Sequence, residues 1–322
     1  MSYPPSLQKI DDPAISASGV NLFILRLDQI HPHISGNKWY KLKYNMEEVR
    51  RQRAEGIITF GGAYSNHIAA TAAAGKEFGI KTIGIIRGDE LASPSERSPS
   101  DRPSPKEREE QPLNPTLRFA KDCGMQLHFV PRQEYQKKEA SPLIHSIIKS
   151  FNNWYLLPEG GTNELAIKGC AEILSLIDIP FDFVCCPVGT GGTLTGIISS
   201  LTKNQQALGF SVLKAADHPE KDIRAWLLNQ HISTSANWHI SHEYHFGGYG
   251  KYTPELLKFI DAFEKQTSIP LDQVYTSKMM FGIYDLIEKK HFPKNSTVIA
   301  IHTGGLQGKL KSHPNPPQRR GD

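Results

Sequence analysis

A chain of 322 residues, 39% hydrophobic and 22% charged with a formal net charge of +4, has the make-up of a soluble globular protein of one large or two medium domains. So mild a charge, part of it in the last residues, leaves no basic stripe for nucleic acid, and no apolar run is long enough to span a membrane. Cys123, Cys170, Cys185 and Cys186 form no CxxC and no paired framework, and Met1-Ser2-Tyr3-Pro4-Pro5 lacks the basic and apolar regions of a signal peptide, so a reducing cytoplasm is expected.

The first predicted strand, 21–27, runs towards Ser35-Gly36-Asn37, a small flexible turn that delivers Lys38. Lys41 and Lys43 follow within a helix-like stretch, and three lysines so close would also suit a solvated helix start. A lysine in a partly buried site with a lowered pKa can instead form a Schiff base with a carbonyl compound. A charged helix over 46–55 precedes a strand at 56–60, an Ala-rich helix at 68–78 with Gly79 in the C-cap place, and a strand at 81–88. Strand, helix and strand in that space make a βαβ unit and imply a parallel sheet.

From 92 to 111 the chain is rich in Ser, Pro and charge, and the expectation for about 93–110 is a disordered surface insertion. Alternation then resumes with helices at 115–123 and 141–151 and strands at 126–130 and 154–158. The second half gives helices at 163–177, 194–202, 222–229, 254–266 and 277–290. Its strands are 181–188, 210–215 and 296–301, and residues 312–322 read as a frayed tail. The fold class is α/β.

Gly189-Thr190-Gly191-Gly192-Thr193 joins the apolar strand 181–188 to a helix, where backbone N–H groups and the helix dipole converge on an anion. It lacks the Walker ending and carries Leu194 at the third glycine position of a dinucleotide loop, so it suits one compact phosphate. Ser65-Asn66-His67 stands at a second strand-to-helix junction and offers donors to a carboxylate, or an ordinary N-cap. His31 with His33, or His239 with His242 and His245, could suggest a metal, yet no carboxylate or cysteine completes either set, and no metal is expected. Adjacent Cys185 and Cys186 must point to opposite faces of their strand and fill core space.

A Schiff-base lysine, a phosphate cup and a carboxylate cup on one α/β chain describe a pyridoxal 5'-phosphate enzyme. Gly36-Asn37-Lys38-x-x-Lys41-Leu42, Gly61-Gly62-x-x-Ser65-Asn66-His67, the 189–193 loop, Val274-Tyr275-Thr276-x-Lys278 and His302-Thr303-Gly304-Gly305 occur in order. Together they resemble the D-cysteine desulfhydrase and 1-aminocyclopropane-1-carboxylate (ACC) deaminase family, of the tryptophan-synthase-β-like fold (fold type II). The resemblance runs from about residue 5 to residue 308 and leaves out the Ser/Pro stretch and the tail.

The resemblance implies two open three-layer α/β domains with the cofactor between them. Residues 1–41 and 150–322 would form the larger and 42–149 the smaller, in a protein that is usually a homodimer. Lys38, rather than Lys41 or Lys43, would carry the Schiff base and shuttle a proton, and Asn37 would also bind the cofactor. Asn66 would bind the cofactor's 3'-oxygen, while Ser65, Asn66 and His67 hold the carboxylate of a small amino-acid substrate. Thr190, Gly191, Gly192 and Thr193 would cradle the phosphate. Tyr275 and Tyr249 would flank the substrate and, with Lys38 and Ser65, be catalytic, with Tyr252 close by in sequence as the alternative to Tyr249. ACC deaminases resemble Tyr-Glu-Gly-Lys and His-Leu-Gly-Gly where this chain has Tyr275-Thr276-Ser277-Lys278 and His302-Thr303-Gly304-Gly305. A neutral Thr303 or Thr276 hydroxyl at the pyridine nitrogen makes a weaker electron sink than a carboxylate, which favours loss of a thiolate over opening of a cyclopropane. D-Cysteine desulfhydrase is therefore the expected activity, ACC deaminase the alternative and a non-catalytic pyridoxal phosphate carrier the second.

Overall fold

The structure is a computed structural model that describes residues 4–88, 113–214, 219–232 and 237–309; the Ser/Pro stretch expected at 93–110 and the tail at 312–322 lie outside the described residues. In chain order the elements begin with β1 (Leu7–Lys9), α1 (Pro13–Ser18), β2 (Asn21–Leu25), α2 (Asn37–Arg51), β3 (Gly56–Gly62), α3 (Asn66–Phe78) and β4 (Lys81–Arg87). They continue with α4 (Pro115–Asp122), β5 (Gln126–Val130), α5 (Arg132–Lys137), α6 (Pro142–Lys149), β6 (Tyr155–Leu157) and α7 (Glu164–Ala171). The last are β7 (Phe183–Val188), α8 (Gly192–Ser199), β8 (Gln206–Ser211), α9 (Pro219–Asn229), β9 (Asn237–Ser241), α10 (Pro254–Thr267), α11 (Thr276–Glu288) and β10 (Thr297–Ile301). No helix among the described residues is long and apolar enough to cross a membrane.

The chain divides into two compact units, Met1–Tyr40 with Ile167–Asp322, and Lys41–Ala166. The stretch 150–166, expected in the larger domain, carries β6, and β6 pairs with β3 of the smaller unit. The first unit holds a six-stranded sheet in the order β1-β2-β10-β7-β8-β9, parallel throughout except for the antiparallel β1. The second holds a four-stranded parallel sheet in the order β5-β4-β3-β6.

Side-chain alternation along the central strands builds the larger core in two layers. Ile24, Cys185, Leu208, Phe210, Val298 and Ala300 fill one. Leu25, Val184, Cys186, Ala207, Ile299 and Ile301 fill the other. Cys185 and Cys186 thus fall in separate layers, as a strand requires.

Several expected bounds move. The strand expected at 210–215 is β8, beginning at Gln206, because the register Phe183↔Gln206 through Val188↔Ser211 sets its span; residue 215 lies outside the described residues. The helix expected at 163–177 is α7 followed by a 3-10 turn over Glu172–Leu176. The short elements β1, α1, α5 and β9 were not expected. Asp12 does accept a hydrogen bond from the Ala14 N–H, with Pro13 opening α1 and Gly19 closing it, but six residues hold too little periodicity to read.

Helices α2 and α7 meet at a backbone contact. A Cβ on Gly169 would stand 2.0 Å from the Tyr40 carbonyl oxygen. Gly169→Ala is expected to lower unfolding stability by about 1–3 kcal/mol, the usual cost of overpacking, as read from the urea midpoint.

Candidate active site

Three loops leave the carboxyl ends of β2, β10 and β7, which are neighbours in that order, and ligands of open α/β sheets gather at such ends. The loop after β2 is the lysine turn. Gly36 has φ +66°, and a Cβ there would lie 1.9 Å from the Thr303 carbonyl oxygen, so only glycine allows the turn to seat on the loop after β10. The Asn37 N–H donates to that same carbonyl at 3.3 Å. His302, fully buried, donates through Nε2 to the Pro270 carbonyl at 2.7 Å, which leaves Nδ1 to accept from the Gly304 N–H at 3.2 Å. Below the turn Arg26 clasps Asp28 through two contacts of 2.9 and 2.7 Å. The Thr303 hydroxyl makes no hydrogen bond within the described residues.

The loop after β7 turns at Gly191, φ +79°, and enters α8 at Gly192. The Asn37 side chain donates to Thr193 Oγ1 at 2.7 Å and so ties the lysine turn to this loop. Gly189 faces the Tyr275 ring, which a Cβ would approach to 3.3 Å. Thr190 is exposed at the loop's outer edge, whereas Gly191, Gly192 and Thr193 are buried.

Four lysines stand near these motifs, and hydrogen bonding tells them apart. Lys41 is buried and gives its amine to the Gly160 carbonyl at 3.0 Å and Thr162 Oγ1 at 2.9 Å. Lys278 is fully buried and donates to the His245 and Gly248 carbonyls at 2.8 and 2.9 Å. Burial pushes its amine down to about 8, against an opposing pull from Asp272. Lys43 is exposed beside the Tyr44 ring. Lys38, half-buried in the first turn of α2, has its amine 3.5 Å from Asn37 Oδ1, at the limit of a hydrogen bond.

Tyr275 is held by Asp272. One carboxylate oxygen accepts from the Val274 and Tyr275 N–H groups at 2.8 and 2.7 Å, the other from the Thr276 N–H at 2.9 Å and the Thr276 hydroxyl at 2.6 Å. Thr276 is fully buried and its hydroxyl proton is committed to that carboxylate, so of the two threonines expected to meet a ring nitrogen, Thr276 is closed off. The ring of Tyr249 stands against that of Tyr275, edge to face with centroids 6.0 Å apart, while Tyr252 packs on the larger core.

Ser65, Asn66 and His67 belong to the second unit, where Ser65 caps α3 by accepting from the Ile68 N–H at 3.3 Å. The Asn66 and His67 amides stand in the first turn of α3, the end of a helix that suits a carboxylate. The imidazole of His67, expected among the carboxylate ligands, is turned inwards: Nε2 lies 2.7 Å from Thr59 Oγ1, whose proton goes to the Leu157 carbonyl, so Nε2 is the donor. Of the histidines weighed as metal ligands, His31 Nδ1 accepts from the Ile34 N–H and His245 Nδ1 from the Gly247 N–H, both at 2.9 Å. His242 bonds Glu220 at 2.6 Å, and among the described residues no three His, Cys, Asp or Glu side chains form a metal set.

The profile of a family described as pyridoxal-phosphate dependent enzyme matches residues 7–304. The chain belongs to this family. It is 28% identical over 313 residues to a mitochondrial bifunctional D-cysteine desulfhydrase/1-aminocyclopropane-1-carboxylate deaminase of Arabidopsis thaliana, over 90% of this chain and 74% of the relative. It is 25% identical over 312 residues to a D-cysteine desulfhydrase of Yersinia enterocolitica, over 92% of this chain and 90% of the relative. The crystal structure of an ACC deaminase homologue superposes with a TM-score of 0.77 at 23% identity, covering 95% of this chain and 90% of that one, which shows a shared fold.

The cofactor of this pyridoxal-phosphate dependent enzyme is therefore pyridoxal phosphate, and the larger unit's residues fit it. They supply a half-buried lysine in the first turn of α2, a glycine loop at a helix N-terminus for a phosphate, and the Thr303 hydroxyl, without a hydrogen bond among the described residues, for a ring nitrogen. Asp272 and Lys278 went unassigned in the sequence, although an Asp four residues before a helix and a Lys on the buried face of an apolar one were visible signals. Lys38→Ala is expected to abolish the visible absorbance of the bound cofactor and turnover while leaving the thermal midpoint of the cofactor-free protein unchanged. Lys41→Met should do the reverse. It should keep the absorbance but lose about 1–3 kcal/mol of stability, because a buried carbonyl and hydroxyl lose their donor.

Proposed function

We propose that this enzyme catalyses β-elimination on a small amino acid, with D-cysteine giving pyruvate, sulfide and ammonia. The observation that carries the reading is the neutrality of the site at the two motif positions that separate the branches. Thr276 is closed by Asp272, both Asp272 oxygens are taken by the chain, and the Thr303 hydroxyl is the partner left for a ring nitrogen. A neutral partner suffices when a thiolate leaves, whereas opening a cyclopropane needs more electron withdrawal.

When bound, pyridoxal phosphate supplies the electron sink that stabilises negative charge at the substrate's Cα. In the proposed roles Thr190, Gly191, Gly192 and Thr193 bind the phosphate and Asn37 braces Thr193. Lys38 Nζ would hold the cofactor and would hold and move the Cα proton. Asn66 takes the 3'-oxygen. Ser65 and the first amides of α3 hold the carboxylate, and His67 braces that helix rather than touching substrate. Tyr275 and Tyr249 flank the leaving sulfur. The C–S bond breaks with its electron pair on sulfur, and water completes the release of pyruvate and ammonia. The choice of D-cysteine rests on the names of the relatives in Arabidopsis and Yersinia. A cytoplasmic homodimer is the setting we propose, supported by the four free cysteines and the family resemblance.

The test is to incubate the purified holoenzyme separately with D-cysteine, L-cysteine and ACC and to identify the keto acid. Pyruvate and sulfide from D-cysteine with nothing from ACC is the expected result. 2-Oxobutyrate from ACC would overturn the electron-sink argument and favour the deaminase, and no keto acid from any of them would favour a carrier.

A further inference from the structure

Lys278 is a fully buried cation with no carboxylate at hydrogen-bond distance among the described residues. Its amine is bonded to two backbone carbonyls, His245 at 2.8 Å and Gly248 at 2.9 Å. Burying an ammonium is costly unless its hydrogen bonds replace water, so this placement calls for a use. Both carbonyls belong to a loop whose backbone is unusual. Phe246, Gly247, Gly248 and Gly250 all have positive φ, at 51°, 94°, 112° and 69°. Such a run is strained for Phe246 and entropically costly for the glycines, so surroundings must hold it in one shape. The loop's own bonds are local: Gly247 N–H to His245 Nδ1 at 2.9 Å, Gly248 N–H to the His245 carbonyl and Lys251 N–H to the Gly248 carbonyl, both at 3.0 Å. Phe246 adds an edge-to-face contact with Phe281 of α11. From the first turn of the same helix, Lys278 ties His245, just before the run, to Gly248 within it.

Tyr249 sits between Gly248 and Gly250, partly exposed, and its ring meets that of Tyr275, which in turn lies against Gly189 of the glycine loop. The N-terminus of α11 therefore carries two buried charges, each fixing the backbone of one tyrosine. Asp272 fixes Tyr275 from before the helix, and Lys278 fixes the Tyr249 loop from within it.

We infer that Lys278 is a positioning residue for the reaction, its ammonium holding residues 245–250 so that Tyr249 stands against Tyr275 beside the glycine loop. Lys278 acts through Tyr249 and touches no reacting atom. The inference rests on the proposed amino-acid chemistry for its kinetic readout alone.

The test compares Lys278→Met, Tyr249→Phe and the double variant as holoenzymes. Lys278→Met should retain the cofactor's absorbance and lose kcat by about 10²-fold, the scale of a misplaced active-site group, with a smaller change in KM. The double variant should be no slower than the slower single, since both changes strike one unit. Losses that multiply would overturn the inference, because a merely structural Lys278 acts independently of Tyr249. If Lys278→Met does not fold, Lys278→Gln, which keeps a neutral donor, should give a smaller kcat loss with the same non-additivity, and additive losses there would overturn it equally. If the wild-type enzyme releases no keto acid from D-cysteine or ACC, the proposed function fails by itself. Amide exchange then decides the loop: Gly247, Gly248 and Lys251 should exchange at least about tenfold faster in the variant, and unchanged exchange would overturn the inference.

Discussion

The close approach of Gly36 to the Thr303 carbonyl is the constraint on which the site depends. It follows from the sheet. Strands β2 and β10 pair in parallel with Leu25 opposite Ile301, so both chains leave the sheet at one level and side by side. A side chain on residue 36 would force the two loops apart. With it would go the Asn37 amide bond to Thr303, the Asn37 bridge to Thr193 and the placement of Lys38. Strand β7 lies on the other side of β10 and delivers the glycine loop to the same place. One sheet order thus gathers an amine, a hydroxyl and an anion cup from distant parts of the sequence.

Around this point the larger unit uses buried charge to hold backbone. Asp272 gathers three amides and a hydroxyl, Lys278 two carbonyls, and Arg26 with Asp28 underlies the lysine turn. In the smaller unit Lys41 does the same for Gly160 and Thr162. Each charge is desolvated at a cost and compensated by short bonds to groups that would otherwise lack partners. Lys38 lies in the first turn of α2, its amine 3.5 Å from the Asn37 amide oxygen.

The alternation of strand and helix was readable because β3, β4, β7 and β10 are short continuous apolar runs buried on both faces, bounded by glycine or charge. β9, Asn237-Trp238-His239-Ile240-Ser241, is an edge strand with little apolar pattern, and β1 has three residues, so neither carried a signal. In the site, glycine and threonine spacing marked the loops, but the use of each polar atom was not legible. Thr276 and Thr303 look alike in sequence, and only the position of Asp272 closes one. His67 lies next to two good carboxylate ligands, yet the α3 backbone turns its ring towards Thr59. The distinction among Lys38, Lys41 and Lys278 likewise depends on which carbonyls the fold brings to each amine.

The placement of β10 bears on how the protein is made. Among the described residues it is the last strand of the chain, yet it lies inside the sheet between β2 and β7. A nascent chain carrying β2, β7, β8 and β9 has no β10 to separate β2 from β7, and the buried faces of Leu25 and Val184 lack their neighbours Ile299 and Ile301. Insertion of that strand brings Thr303 under Gly36, so these two loops meet only once β10 has been made. Such long-range closure is slow and exposes unpaired edges meanwhile.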